Sequence, residues 1–103
     1  MDQASLLAIL KSAGLPVAYH HYDDPPAPPY VVYLFADSNN FGADNKVYVK
    51  SNRYLVELYT TKKDLEAEQR VEDVLNAAEI YYDKSEGFIE SEKMYQVVYE
   101  IEV

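Results

Sequence analysis

Hydrophobic and polar positions change period several times along the 103 residues, and each change marks an element. The cleanest pattern is C-terminal. Over residues 94–103, Tyr95, Val97, Tyr99, Ile101 and Val103 alternate with Gln96, Glu100 and Glu102, the two-residue period of an antiparallel strand with one wet face. Residues 53–60 alternate as well, Tyr54, Val56 and Leu58 against Leu55, Glu57 and Tyr59. They are rich in the β-branched and aromatic types that suit a pleated surface. Over residues 64–78 the period lengthens to that of a helix. Leu65, Val71, Val74, Leu75 and Ala78 gather on one side and leave Glu66, Glu68, Arg70, Glu72 and Asp73 for solvent. Thr61 and Asp64 form a capping pair for its first turn.

The rest of the chain supplies a short helix and more strands. Asp2 is an N-cap, Leu6, Ile9, Leu10 and Ala13 line one helix side, and Gly14 stands where a left-handed ending is favoured. Leu15 is placed to fold back on Leu10, and Pro16 blocks continuation. Residues 17–22, 30–36, 46–50 and 80–85 read as strands. Residues 30–36 are apolar on both faces, so that strand is either covered twice or meets another subunit. Pro25, Pro26, Pro28 and Pro29 form a stiff connector before it, or a polyproline ligand. Residues 37–45 read as a polar loop with Phe41 exposed within it, and its spacing does not fit a calcium loop. Ser51-Asn52 marks a hairpin or a bend, and residues 86–93 a charged turn around Gly87. The predicted order is α-β-β-β-α-β-β in one domain, residues 1–103. The class is α+β, a mostly antiparallel sheet with both helices on one face.

Charge narrows the possible partners. Eighteen acidic residues against nine basic ones give a net charge of −9, which argues against specific nucleic-acid binding, since phosphate neutralisation needs clustered Lys and Arg. There is no cysteine, hence no disulfide framework, thiolate metal site or thiol nucleophile. Residues 6–10 are too short to span a membrane and Met1-Asp2-Gln3 lacks a basic flank, so a soluble, cytoplasmic chain is expected. Eleven tyrosines suit strands and interfaces alike. His20 and His21 are adjacent in a predicted strand and should point to opposite faces, unable to share a metal. The three glycines are isolated, and the pairs Asp23-Asp24 and Glu72-Asp73 are neighbours in sequence rather than opposed across a cleft. No catalytic residue, cofactor or metal ligand is expected.

Four segments taken together carry a resemblance: Pro29-Tyr30-Val31-Val32-Tyr33; Asn39-Asn40-Phe41-Gly42-Ala43-Asp44-Asn45; Val56-Glu57-Leu58-Tyr59-Thr60-Thr61-Lys62-Lys63-Asp64 leading to Glu68; and Glu90-Ser91-Glu92-Lys93-Met94-Tyr95-Gln96 with Tyr99-Glu100-Ile101. In this order they resemble small prophage proteins of Gram-positive siphophages, the tail terminator or tail-to-head joining proteins. The resemblance implies a non-enzymatic homo-oligomer, commonly a hexameric ring. It would cap the tail tube and contact tube and connector proteins at the virion neck, after assembly in the bacterial cytoplasm. Its acidic surplus would line a channel to which DNA does not stick. Tyr30, Tyr33, Asn39, Asn40, Phe41 and Asp44 are the interaction residues expected on this reading. A head-closure adaptor of the connector, or a small α+β module that dimerises through its sheet, are the alternatives.

Overall fold

The structure is a computed structural model and describes residues 1–103. Helix α1 (Gln3–Lys11) precedes strands β1 (Val17–Tyr19), β2 (Tyr30–Ser38), β3 (Phe41–Ala43), β4 (Lys46–Val49) and β5 (Asn52–Thr60); helix α2 (Leu65–Ala77) and strands β6 (Tyr82–Ile89) and β7 (Met94–Glu102) follow. One five-stranded sheet runs β1-β2-β5-β7-β6, and β3 with β4 makes a separate two-stranded ribbon. The β1–β2 pair is parallel and the others are antiparallel. This is the α+β architecture expected from the periodicity. It contains extra strand structure because residues 37–45 are largely a ribbon rather than a loop. No helix is long and apolar enough to cross a membrane.

The alternation in β5 and β7 decides which face is dry. Tyr54, Val56 and Leu58 lie opposite Ile101, Tyr99 and Val97, while Val56 and Leu58 also face Tyr33 and Val31 on β2. Directly opposed residues share a face, so these side chains form one apolar surface. Leu6 and Leu10 of α1 cover it together with Ala67, Val71 and Leu75 of α2. Each set repeats every four residues, one helical turn. A fully buried Val or Leu of this kind contributes roughly 1.5–3 kcal/mol.

Helix α1 begins as expected, with the Asp2 carboxylate accepting a 2.7 Å hydrogen bond from the Ser5 amide. Gly14 takes the left-handed conformation, φ 82°. Helix α2 departs from expectation at three places. Its cap is Asp64 alone, whose carboxylate accepts from the Ala67 amide at 3.0 Å, while Thr61 is exposed. Leu65 is exposed rather than buried, because it precedes Ala67 by two residues and so lies roughly 200° round the helix. Glu68, expected in solvent, is only 2% exposed.

Glu68 and Glu72 stand one turn apart on the flank of α2 that meets β6 and β7. Glu68 pairs with Lys63 at 2.7 Å and with Lys84 at 2.8 Å, and Lys84 also reaches Glu72 at 2.8 Å. The Lys84 contact to Glu68 Oε1 is ionic; that oxygen accepts no well-aligned hydrogen bond. The Tyr99 hydroxyl donates to Glu72 at 2.8 Å and the Tyr82 hydroxyl at 3.1 Å. Lys63 also binds Glu86. Burial opposes charge on both glutamates, but Lys63 and Lys84 at Glu68, and Lys84 with the Tyr99 and Tyr82 hydroxyls at Glu72, outweigh it and hold both carboxyls below the usual range. Burial, reinforced by Glu72, pushes the Tyr99 hydroxyl well up.

Two predictions follow from the helix–sheet junction. Asp64→Ala costs about 1 kcal/mol in urea unfolding through the lost cap, and Thr61→Ala leaves the midpoint unchanged; the reverse ranking contradicts the assignment. Because the folded pKa values of Glu68 and Glu72 are depressed from 4.5, their stabilisation is present above that ordinary value. It is lost as pH falls toward the lower folded ones. Lys84→Met removes a shared partner. A broken buried pair is costly, but Lys84 is 37% exposed and Glu68 keeps Lys63, so the expected loss is discounted to roughly 1–2 kcal/mol. With its carboxyls less depressed, the variant loses less stability on acidification, so the gap between parent and variant narrows as pH falls below about 4.5. Urea midpoints taken from about pH 7 to about pH 3 that coincide for parent and variant contradict this.

Candidate interaction surface

The β3–β4 ribbon is an arm. It grows from the ends of β2 and β5, its strands pack mainly on each other, and every residue from 41 to 50 is exposed. The turn is Asp44-Asn45, with φ 53° and 63°. Two consecutive left-handed residues match the twist of a tight hairpin, and Asp and Asn tolerate that conformation better than most. Gly42 is required by a close approach: a Cβ there would sit 2.7 Å from the Lys46 carbonyl oxygen. Phe41 lies opposite Val49 and Gly42 opposite Val47, leaving Tyr48 as the extra residue of a bulge. Phe41, Val47, Tyr48 and Val49 are 68%, 54%, 60% and 56% exposed, so neither face of the arm has an apolar cover.

The base of the arm is pinned by polar contacts. The Asn39 amide donates to the Ser51 carbonyl at 2.7 Å, and the Ser51 amide donates to Asn40 Oδ1 at 3.0 Å. Glu102 Oε1 accepts from Ser51 Oγ at 2.7 Å and from Asn39 Nδ2 at 2.9 Å, bonds that hold its carboxyl below the usual range. A bulge at Ala36 shifts the register so that Asp37 lies opposite Arg53. The Arg53 guanidinium then grips Asp37 at 2.6 and 3.1 Å and Glu100 at 2.8 Å, tying β2, β5 and β7 together.

The residues expected to mediate contacts therefore separate into two groups. Asn39 and Asn40 sit at the hinge, Phe41 on the arm and Asp44 in its turn. Tyr30 and Tyr33 are withdrawn from the surface, at 7% and 3% exposure. Tyr33 belongs to the helix-covered face. Tyr30 stacks on Tyr59 and is met edge-on by Tyr22, from the proline-rich segment that follows β1. Beside it, burial and Glu57 push the Tyr59 hydroxyl up to about 12. Val47, Tyr48, Val49, Arg53 and Glu102 belong to the arm and its base. The signal for the arm was Asp44-Asn45 ahead of the short strand, which closes a hairpin when apolar residues flank it.

The histidines differ from expectation. Strand β1 stops at Tyr19, and His20 turns left-handed with φ 68°. Both rings then fall on one side, Nδ1 to Nδ1 at 3.1 Å, with His21 Nε2 3.1 Å from Asp23. No third ligand joins them; His, Cys, Asp and Glu side chains nowhere gather in a metal-binding group of three or more. The largest depression, about 530 Å³, is lined by Ser51, Arg53, Tyr81, Asp83, Glu100, Ile101 and Glu102. Each carboxylate in it already has a partner: Glu100 has Arg53, Glu102 has Ser51 and Asn39, and Asp83 has the Tyr81 hydroxyl.

No protein-family model matches the chain, and no curated protein matches it in sequence.

Glu102→Ala is expected to free the hinge. Amide hydrogen exchange over Lys46–Val49 should quicken while the strands β5 and β7 keep their protection and the melting temperature holds. Unchanged exchange in the arm would show that Glu102 does not pin it.

Proposed function

We propose that this protein is a structural assembly subunit, a ring-forming tail terminator or head–tail joining protein of a tailed phage. The exposed apolar arm carries the reading. Four large hydrophobic side chains held in water on a pinned ribbon form a surface that association would bury. The resemblance in segments 29–33, 39–45, 56–64 and 90–96 narrows the assembly to the head–tail joint. The tube and connector proteins would be the other partners, and no catalytic step is assigned. The net charge of −9 fits a ring through which DNA passes without adhering.

A heterologous ring uses two different patches on each subunit, and the arm is one of them. A second reading, an isologous dimer through the uncovered sheet face, draws on the half-buried Leu34, Leu55 and Val98 there. The variant Phe41→Ser/Val47→Ser/Val49→Ser separates the two. Sedimentation velocity should show higher oligomers for the parent and monomers for the variant, with equal melting temperatures. A parent that stays monomeric at high concentration and beside its tube protein contradicts the assembly role. A dimer indifferent to the arm supports the sheet-face reading instead.

A further inference from the structure

Strand β6 is the second incomplete surface. It forms one edge of the five-stranded sheet, pairs only with β7, and keeps a regular register from Tyr82 to Ile89 without a bulge. Natural edge strands are usually short, bulged, or guarded by proline or outward lysines. The opposite edge, β1, follows that rule: it is three residues long and ends in the left-handed His20. Strand β6 has eight residues and no proline. Its one lysine, Lys84, is drawn over the sheet to Glu68 and Glu72, and Glu86 is held by Lys63. Of the charged side chains of β6, Lys84 and Glu86 are committed to the helix side, and Asp83 alone is left on the other face without an ion-pair partner.

We infer that the β3–β4 arm of one subunit docks along the β6 edge of a second copy of this chain. The inference rests on the assembly reading and names its second patch. Backbone groups suit it, because both the arm strands and β6 have a free edge. Charge suits it as well. Lys46 and Lys50 on the arm have no ion-pair partner, and neither do Glu79, Asp83 and Glu90 in and around β6. Exposed aromatics complete the match, with Tyr81 and Phe88 beside the β6 edge and Phe41 and Tyr48 on the arm. A subunit does not satisfy its own edge, since β7 and β5 separate β6 from the arm's root. The contact joins two different patches and, repeated head to tail, propagates from copy to copy, closing into a ring where the rotation allows.

The chain has no cysteine, so introduced thiols report this contact alone. Val47→Cys/Ser85→Cys, both at exposed sites, is treated with a short bismaleimide that tolerates a one-residue change of register. The expected result is a ladder of covalent oligomers that stops at the ring size. Neither single variant gives a ladder, nor does Val47→Cys/Lys11→Cys, whose second thiol lies on α1. Circular dichroism and sedimentation accompany each sample. Assembly by sedimentation without a ladder overturns the β6 contact and leaves the assembly role standing. Monomers at every concentration overturn both.

Discussion

A buried carboxylate with two lysines fixes how this molecule is put together. Glu68 is almost completely removed from water between α2 and the sheet. A charge in that position is tolerable only where its partners are held, and leaving it unpaired would cost several kcal/mol. Lys63 comes from the segment before the helix and Lys84 from β6, while Glu72 and the Tyr99 hydroxyl extend the network to β7. Apolar packing of Val71 and Leu75 tolerates some sliding of the helix over the sheet. The ion pairs do not, because a shift by one turn would carry Glu68 away from Lys84 on β6. The hydrophobic face supplies most of the favourable free energy, and the network selects one arrangement of it.

That arrangement makes the two sides of the molecule unlike. One face of the sheet is closed by both helices. The other is covered only in part, where Tyr22 packs on Tyr30. Holding Lys84 and Glu86 on the helix side also leaves Asp83 as the one unpaired charge of β6, so the contact that anchors the helix leaves an edge lightly guarded. At the other end Arg53 and Glu102 fasten a ribbon whose apolar side chains find no cover in their own subunit. A rigid body with a lightly guarded edge and a pinned arm is suited to being a part of something larger, which is the proposed role.

The sequence made the class and most elements legible where periodicity was strong. The alternation in residues 53–60 and 94–103 identified the central strands and their dry faces, since burial on one side leaves a period-two trace. The N-cap at Asp2 and the left-handed Gly14 were readable because each is a local requirement. Glu68 was not. A glutamate on a helix pattern reads as solvated, and only the tertiary approach of Lys84, sixteen positions away, reverses that. The arm was hidden by composition, since Asn, Asp and Gly look like loop whether they make a loop or a tight hairpin turn. Tyr30 and Tyr33 show the converse: an apolar pattern on both faces of a strand fits cover by its own chain as well as a contact surface, and both side chains are buried within the subunit. His20 and His21 were assigned to opposite faces on the assumption of continuous strand, which a single left-handed residue removes.

The proposed role stands or falls most directly on where the protein resides in a particle. Cryo-electron microscopy of purified virions from the producing host resolves the head–tail joint. The account predicts a closed ring of this α+β subunit at the head-proximal end of the tail tube, with each arm laid on its neighbour. Density that excludes the fold from the joint, in particles that are otherwise complete and infectious, would contradict it.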